Sequence, residues 1–264
     1  MTEDIQTRLA AGTTALDVVE YAVAEMESSG LYVAGRGSAP NTAGYVELDA
    51  SIMDGATREA GSVVAIVGVV NPVSVARRVM KETPHVMLAG KGALAFARSL
   101  GLEEISDPDA YYVLPVGVYQ NEISEQKHGT VGAVARDRSG GFAAATSTGG
   151  TFGKLEGRVG DSPMIGAGTW ADDDIAISCT GTGEHIIRAG GAISIAYKVK
   201  AGAMLKVAVE EMLAEVRRLG GDGGIVALTR DGEIVMDYNS EGMKRASVTS
   251  SAAVSVATFE MESR

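Results

Sequence analysis

The run TVGAVARDRSGGFAAATST at residues 130–148 constrains the fold more than any other stretch. Two short apolar segments flank a polar one that ends in Ser139-Gly140-Gly141, where glycine opens backbone conformations closed to other residues. Strand-forming runs on either side of such a turn predict an antiparallel hairpin. A second unit of the same design, GGIVALT followed by GEIVMDYN, turns at Asp231-Gly232. A chain with two such hairpins is committed to antiparallel sheet.

The remaining segments add helices and further strands. In TTALDVVEYAVAEME (13–27), Leu16, Val19, Val23 and Met26 recur three or four residues apart, which predicts an amphipathic helix. Thr14 is its expected N-cap and Gly30 its stop. YVELDASIMDG reads as a strand turning at Asp54-Gly55, and SVVAIVGVV (62–70) as a buried strand. Asn71-Pro72 ends that strand and opens a helix over 73–81. HVMLAG is a short strand, followed by a helix near 91–100. Residues 103–129 lack a clear period and read as a surface linker, partly mobile. DIAISCTG (174–181) is a strand, 184–199 and 203–219 are helices, and VSVATFE is a last strand. Mixed helices and strands with antiparallel pairing predict sheets packed between helix layers. At 264 residues one large domain is expected.

The net charge of −11 argues against nucleic acid or an anionic membrane surface as partner. One cysteine, Cys179, excludes an internal disulfide framework and fits a reducing compartment. The opening MTEDIQTRLAAG is helical in style rather than a leader, and no apolar run spans a bilayer, so the cytoplasm is the expected setting.

Three histidines and one cysteine are too scattered for a zinc site. His85 lies in an apolar context and is expected in the core; His185 sits at a helix start, expected at the surface. His128 stands beside Gly129-Thr130. A threonine hydroxyl becomes a useful nucleophile if the chain is cut before it, because the new α-amine can take its proton. Such an amine has a reference pKa of about 8, so a large fraction is neutral. Gly129-Thr130 offers a small residue before the threonine, an accessible linker upstream and a rigid strand downstream. The alternative is that Thr130 only starts a strand.

TVGAVARDRSGGFAAATSTGG, KLEGRVGDSPMIGAG and SCTGTGE, in this order and spacing, resemble the plant-type asparaginase and isoaspartyl peptidase family of N-terminal-nucleophile hydrolases. ALDVVEYAV, ELDASIMDGATREAGSVVAI, NPVSVARRVM, PHVMLAG, GGDGGIVAL and NSEGM match it too, and the likeness covers about residues 10–245. The resemblance implies an α+β fold, the four-layer αββα sandwich. It implies self-cleavage between Gly129 and Thr130, giving chains 1–129 and 130–264. Thr130 would be the nucleophile and Thr148 the residue that tunes it. Thr180 and Gly181 would form the oxyanion hole. Arg158 and Asp161 would grip the α-carboxylate and α-amine of the substrate, with Gly183 lining that pocket. An amino-acid head needs one cation and one anion close together, which such a pair supplies. No cofactor is implied beyond a structural sodium ion held by the carbonyls of Met26, Glu27, Ser29, Tyr32, Ala34 and Arg36. The implied partners are a small amino-acid amide or dipeptide and a second αβ unit in a homodimer or larger homo-oligomer.

Two departures stand out. The family's opening strand with its His-Gly-Gly-Ala-Gly loop is not found in this sequence. Where the family has Phe-Asn-Ala-Gly, this chain has Tyr32-Val33-Ala34-Gly35. Three readings follow: activity with a more open site, slow or absent self-cleavage, or replacement of the first strand by another segment, for which the C-terminal VSVATFE is a candidate. For function, L-asparagine or a β-aspartyl dipeptide is the first expectation. A different small amide comes second, and a non-catalytic amino-acid-binding relative third.

Overall fold

A computed structural model describes residues 1–115 and 129–259. Helix α1 (Thr2–Ala10) precedes α2 (Ala15–Ser29), whose start is fixed as expected: the Asp17 amide donates to the Thr14 hydroxyl at 3.2 Å. Gly30, at φ +70°, closes α2 in the left-handed conformation that a side chain would resist.

Two sheets follow. The first joins β1 (Leu48–Asp54), β2 (Ala60–Ile66), β3 (Met87–Ala89), β4 (Val131–Arg136) and β5 (Phe142–Thr148) in the order β3-β2-β1-β5-β4. Only the β2–β3 pair is parallel. The second joins β6 (Thr169–Ala171), β7 (Ile175–Gly181), β8 (Gly223–Thr229) and β9 (Ile234–Tyr238), all antiparallel. Both expected hairpins are present, as β4–β5 and β8–β9.

Helices cover the outer faces. α2 and α3 (Pro72–Glu82) pack on the first sheet, with α4 (Gly90–Ser99) beside β2. α7 (Gly191–Lys200) and α8 (Leu205–Arg218) pack on the second, with α6 (Gly183–Ala189) against α8. The result is the four-layer αββα sandwich. One apolar core lies between α2, α3 and the first sheet, around Val19, Val23, Leu48, Ile52 and Val79. The other lies between the second sheet and α7 and α8, around Ile177, Ile195, Met212 and Ile225.

The layer between the sheets is built differently. Thr146 and Ser178 share a hydrogen bond of 2.7 Å, Thr169 donates to Thr146 at 2.5 Å, and the Ser51 hydroxyl lies 2.7 Å from Thr169 and 2.6 Å from the Ser162 carbonyl. Small hydroxyl side chains let the sheets approach closely, and mutual pairing removes the cost of burying them. Gly132 on β4 is part of this design: a Cβ there would fall 2.0 Å from the Ser178 hydroxyl.

Several expectations are corrected. The strand read as 62–70 ends at Ile66; Val69 instead bridges Glu104. The helix read as 184–199 breaks at Gly190 (φ +81°) and Gly191, because a Cβ on Gly191 would lie 2.2 Å from the Ala167 carbonyl. Residues 103–115 are not a loose linker. They form α5 (Pro108–Tyr111), tie back through Val113 to the Arg36 carbonyl, and pack Tyr112 against the first core. The rest of that linker, with His128, lies outside the described residues. His85 is exposed rather than buried, while His185 is packed against Gly221 rather than displayed. The C-terminal strand β11 (Ser255–Ala257) does not join the five-stranded sheet; it pairs with β10 (Arg245–Ser247) in a separate ribbon. No helix among the described residues is long and apolar enough to cross a membrane.

Candidate active site

Strand register brings the threonines together. Val131 pairs with Ser147 and Gly132 with Thr146, so Thr130 and Thr148 meet at the same end of the β4–β5 hairpin. The Thr148 hydroxyl is the hub. It donates to the Gly129 carbonyl at 2.6 Å, accepts from the Gly150 amide at 2.9 Å, and lies 3.4 Å from the Thr130 hydroxyl. Thr148 is buried, whereas Gly129 and Thr130 are half-exposed. Across the inter-sheet layer, Ser178 faces Gly132. Successive side chains alternate along a strand, so Thr130 lies on the same face of β4 as Gly132 and Thr180 on the same face of β7 as Ser178. Gly181 follows Thr180 at φ +136°, where a Cβ would be 2.3 Å from the Asp222 carbonyl. The strand can only end this way with glycine.

Asp161 is fully buried, and its Oδ2 makes no hydrogen bond among the described residues. Burial pushes its pKa up to about 7, against the pull of Arg158. Gly183 presses on it: a Cβ there would sit 2.9 Å from both the Asp161 amide nitrogen and Oδ1. Arg158 does not pair with Asp161 directly. Its Nε and Nη2 donate to Glu184 Oε1 and Oε2, both at 2.8 Å. That two-point ion pair holds the Glu184 carboxyl below the usual range.

Sequence reasoning missed Glu184, which hides inside the SCTGTGE motif as the residue after Gly183. It also missed a buried charged floor. Lys154 Nζ donates to the Glu47 carbonyl at 2.9 Å and would lie 2.9 Å from a Cβ on Gly150. Asp49, opposite Thr148 in register, accepts from the Ala65 amide at 2.7 Å and leaves Oδ2 without a hydrogen bond among the described residues. Burial raises the Asp49 pKa and lowers that of Lys154, and each charge opposes the other's shift. Strand position gave no sign that these charges would converge.

The family model described as asparaginase matches residues 1–114 and 106–258. The isoaspartyl peptidase of Salmonella typhimurium is 44% identical over 92% of this chain and 84% of its own. The isoaspartyl peptidase/L-asparaginase of Homo sapiens is 40% identical over 88% of this chain and 79% of its own. The probable isoaspartyl peptidase/L-asparaginase 2 of Arabidopsis thaliana is 38% identical over 96% and 88%. The chain belongs to the asparaginase family.

In this asparaginase-family chain the end of α2 and the loop after it pack closely, backbone against backbone, at Gly35 and Gly37. A Cβ on Gly35 would lie 2.5 Å from the Glu27 carbonyl oxygen, and one on Gly37 would lie 2.0 Å from that of Tyr32. The Met26, Ala34 and Arg36 carbonyls each accept one hydrogen bond, from Ser29, Gly37 and Val113, and keep a second lone pair. Carbonyl oxygens of this kind suit a hard cation.

Proposed function

We propose that this chain is a self-processing threonine amidohydrolase that cleaves the side-chain amide of L-asparagine or the isopeptide bond of β-aspartyl dipeptides. The observation that carries the reading is the Thr148 hydroxyl, bonded to the Gly129 carbonyl and next to the Thr130 hydroxyl. A donor on the scissile carbonyl, beside the attacking oxygen, is what amide cleavage at Gly129–Thr130 needs.

In maturation, Thr130 Oγ attacks the Gly129 carbonyl carbon. The Gly129–Thr130 C–N bond breaks, and the hydroxyl proton ends on the freed amine. Water then splits the ester, leaving Gly129 with a carboxylate and Thr130 with a free α-amine and its hydroxyl. The products are chains 1–129 and 130–264. In turnover the α-amine takes the Oγ proton as Oγ attacks the substrate amide carbon, and passes it to the departing amine. Thr180 and the Gly181 region supply donors for the developing oxyanion. Water, activated by the same amine, releases aspartate and restores Thr130.

The head-group site rests on charge. Asp161 Oδ2, without a partner among the described residues, calls for a cationic donor, which an α-ammonium group provides, and Gly183 packs close beside it. Arg158, oriented by Glu184, keeps Nη1 for the α-carboxylate. The second reading, a different small amide, draws on Glu184 occupying two of the three Arg158 nitrogens. The carbonyls of Met26, Glu27, Ser29, Tyr32, Ala34 and Arg36 would hold a sodium ion that stiffens the loop carrying Val33. A dimer of αβ units and a cytoplasmic setting belong to the same reading.

Intact mass of the purified protein, followed by assays on L-asparagine and β-aspartyl-leucine, tests it. Two fragments, the second starting at Thr130, with amide turnover are expected. A single uncut chain that turns over neither substrate overturns it.

A further inference from the structure

The residue that replaces the family asparagine, Val33, lies directly on the scissile glycine. A Cβ on Gly129 would fall 2.6 Å from Val33 Cβ and 2.7 Å from its Cγ2. No real side chain tolerates such spacing, so the two residues interlock. Val33 is itself fixed. Its carbonyl accepts from the Gly149 amide at 2.9 Å, and its side chain is buried with Ala39 and Phe152 in a small apolar cluster apart from both main cores. Gly149 is locked in turn, since a Cβ there would lie 2.2 Å from the Ser38 hydroxyl. The Gly129 peptide is thus held from two sides: by Val33 on its Cα and by Thr148 on its carbonyl.

We propose that Val33 is a positioning residue for self-cleavage, an apolar buttress that holds the Gly129 carbonyl against the Thr148 donor while Thr130 attacks. This rests on the self-processing reading above. The chemistry is unchanged: Thr130 Oγ bonds to the Gly129 carbon, the C–N bond breaks and the proton passes to the amine. Val33 contributes shape alone. A branched side chain loses little rotamer freedom when packed, so it makes a stiff support. Displacement of reacting atoms by about an ångström can slow a reaction on the order of a hundredfold.

The experiment follows the appearance of the fragment beginning at Thr130 by intact mass, from fresh uncut protein, in four variants. Val33→Ala should slow cleavage about tenfold or more. Val33→Thr keeps the branched shape and should cut near the wild-type rate. Gly129→Ala, which leaves Val33 in place, should block cleavage, and Val33→Gly combined with Gly129→Ala, which removes the opposing Cβ and Cγ2, should regain part of it. Cooperative melting of each variant separates lost positioning from lost fold. Val33→Ala or Gly129→Ala cutting at the wild-type rate overturns the proposal, as does a double variant no faster than Gly129→Ala alone. A wild-type chain that never cuts overturns the self-processing reading instead.

Discussion

Arg158 is gripped by Glu184 through two hydrogen bonds of 2.8 Å, with the arginine side chain mostly buried and the glutamate half-exposed. Fixing a guanidinium this way removes most of its rotamer freedom before substrate arrives. Glu184→Gln should therefore raise KM for asparagine or β-aspartyl-leucine about tenfold, by roughly 1.4 kcal/mol, with kcat little changed. A steady-state titration checks this; a lower KM would mean that Glu184 competes with the substrate carboxylate.

Thr148→Val keeps the shape of the side chain and removes a hydroxyl that reaches both Gly129 and Thr130. Loss of a single donor to a developing oxyanion costs on the order of a hundredfold or more. Cleavage at Gly129–Thr130, read by gel or mass against time, should slow by about that factor. Thr130→Ala should abolish it.

Asp161 carries a pKa raised to about 7 by burial. An α-ammonium group binds its ionised form, so affinity for L-aspartate should rise as pH climbs through 7, with proton release on binding below that. Calorimetry across this range in two buffers of different ionisation enthalpy detects both effects. Asp161→Asn should flatten the profile and weaken binding.

Glu27 is buried beneath the loop after α2, and burial lifts its pKa from 4.5 to about 8 despite hydrogen bonds from Asn71 and the Val73 amide. Between those values the folded protein holds a proton that the unfolded chain has lost. Stability from this group is full below about pH 4.5 and falls as pH rises through 8. Asp161 acts in the same direction up to about 7. Melting temperature should accordingly drop from pH 5 to pH 8, and Glu27→Gln should raise it at pH 8 and shrink the drop.

If the carbonyls of Met26, Glu27, Ser29, Tyr32, Ala34 and Arg36 hold sodium, the protein should melt higher in sodium chloride than in choline chloride at equal ionic strength. Equal melting in both salts would remove the ion from the account.

What could be read from residues alone was whatever depends on near neighbours in the chain. The Thr14 cap, the Gly30 stop and the turns at Gly140 and Gly232 are local backbone chemistry. Helical periodicity placed α2 and α8 because each pattern has to hide its own apolar face, Asn71-Pro72 placed α3, and apolar runs flanking glycine turns placed the two hairpins. The resemblance to the family also singled out Thr130, Thr148, Arg158 and Asp161. Tertiary structure alone decided what those residues touch. That Arg158 pairs with Glu184 and not Asp161, that Val33 abuts Gly129 across 96 positions of sequence, and that the C-terminal strand closes a ribbon of its own are outcomes of packing. So is the burial that moves the pKa of Glu27 and Asp161, since desolvation depends on what surrounds a carboxyl on every side and not on its neighbours in the chain.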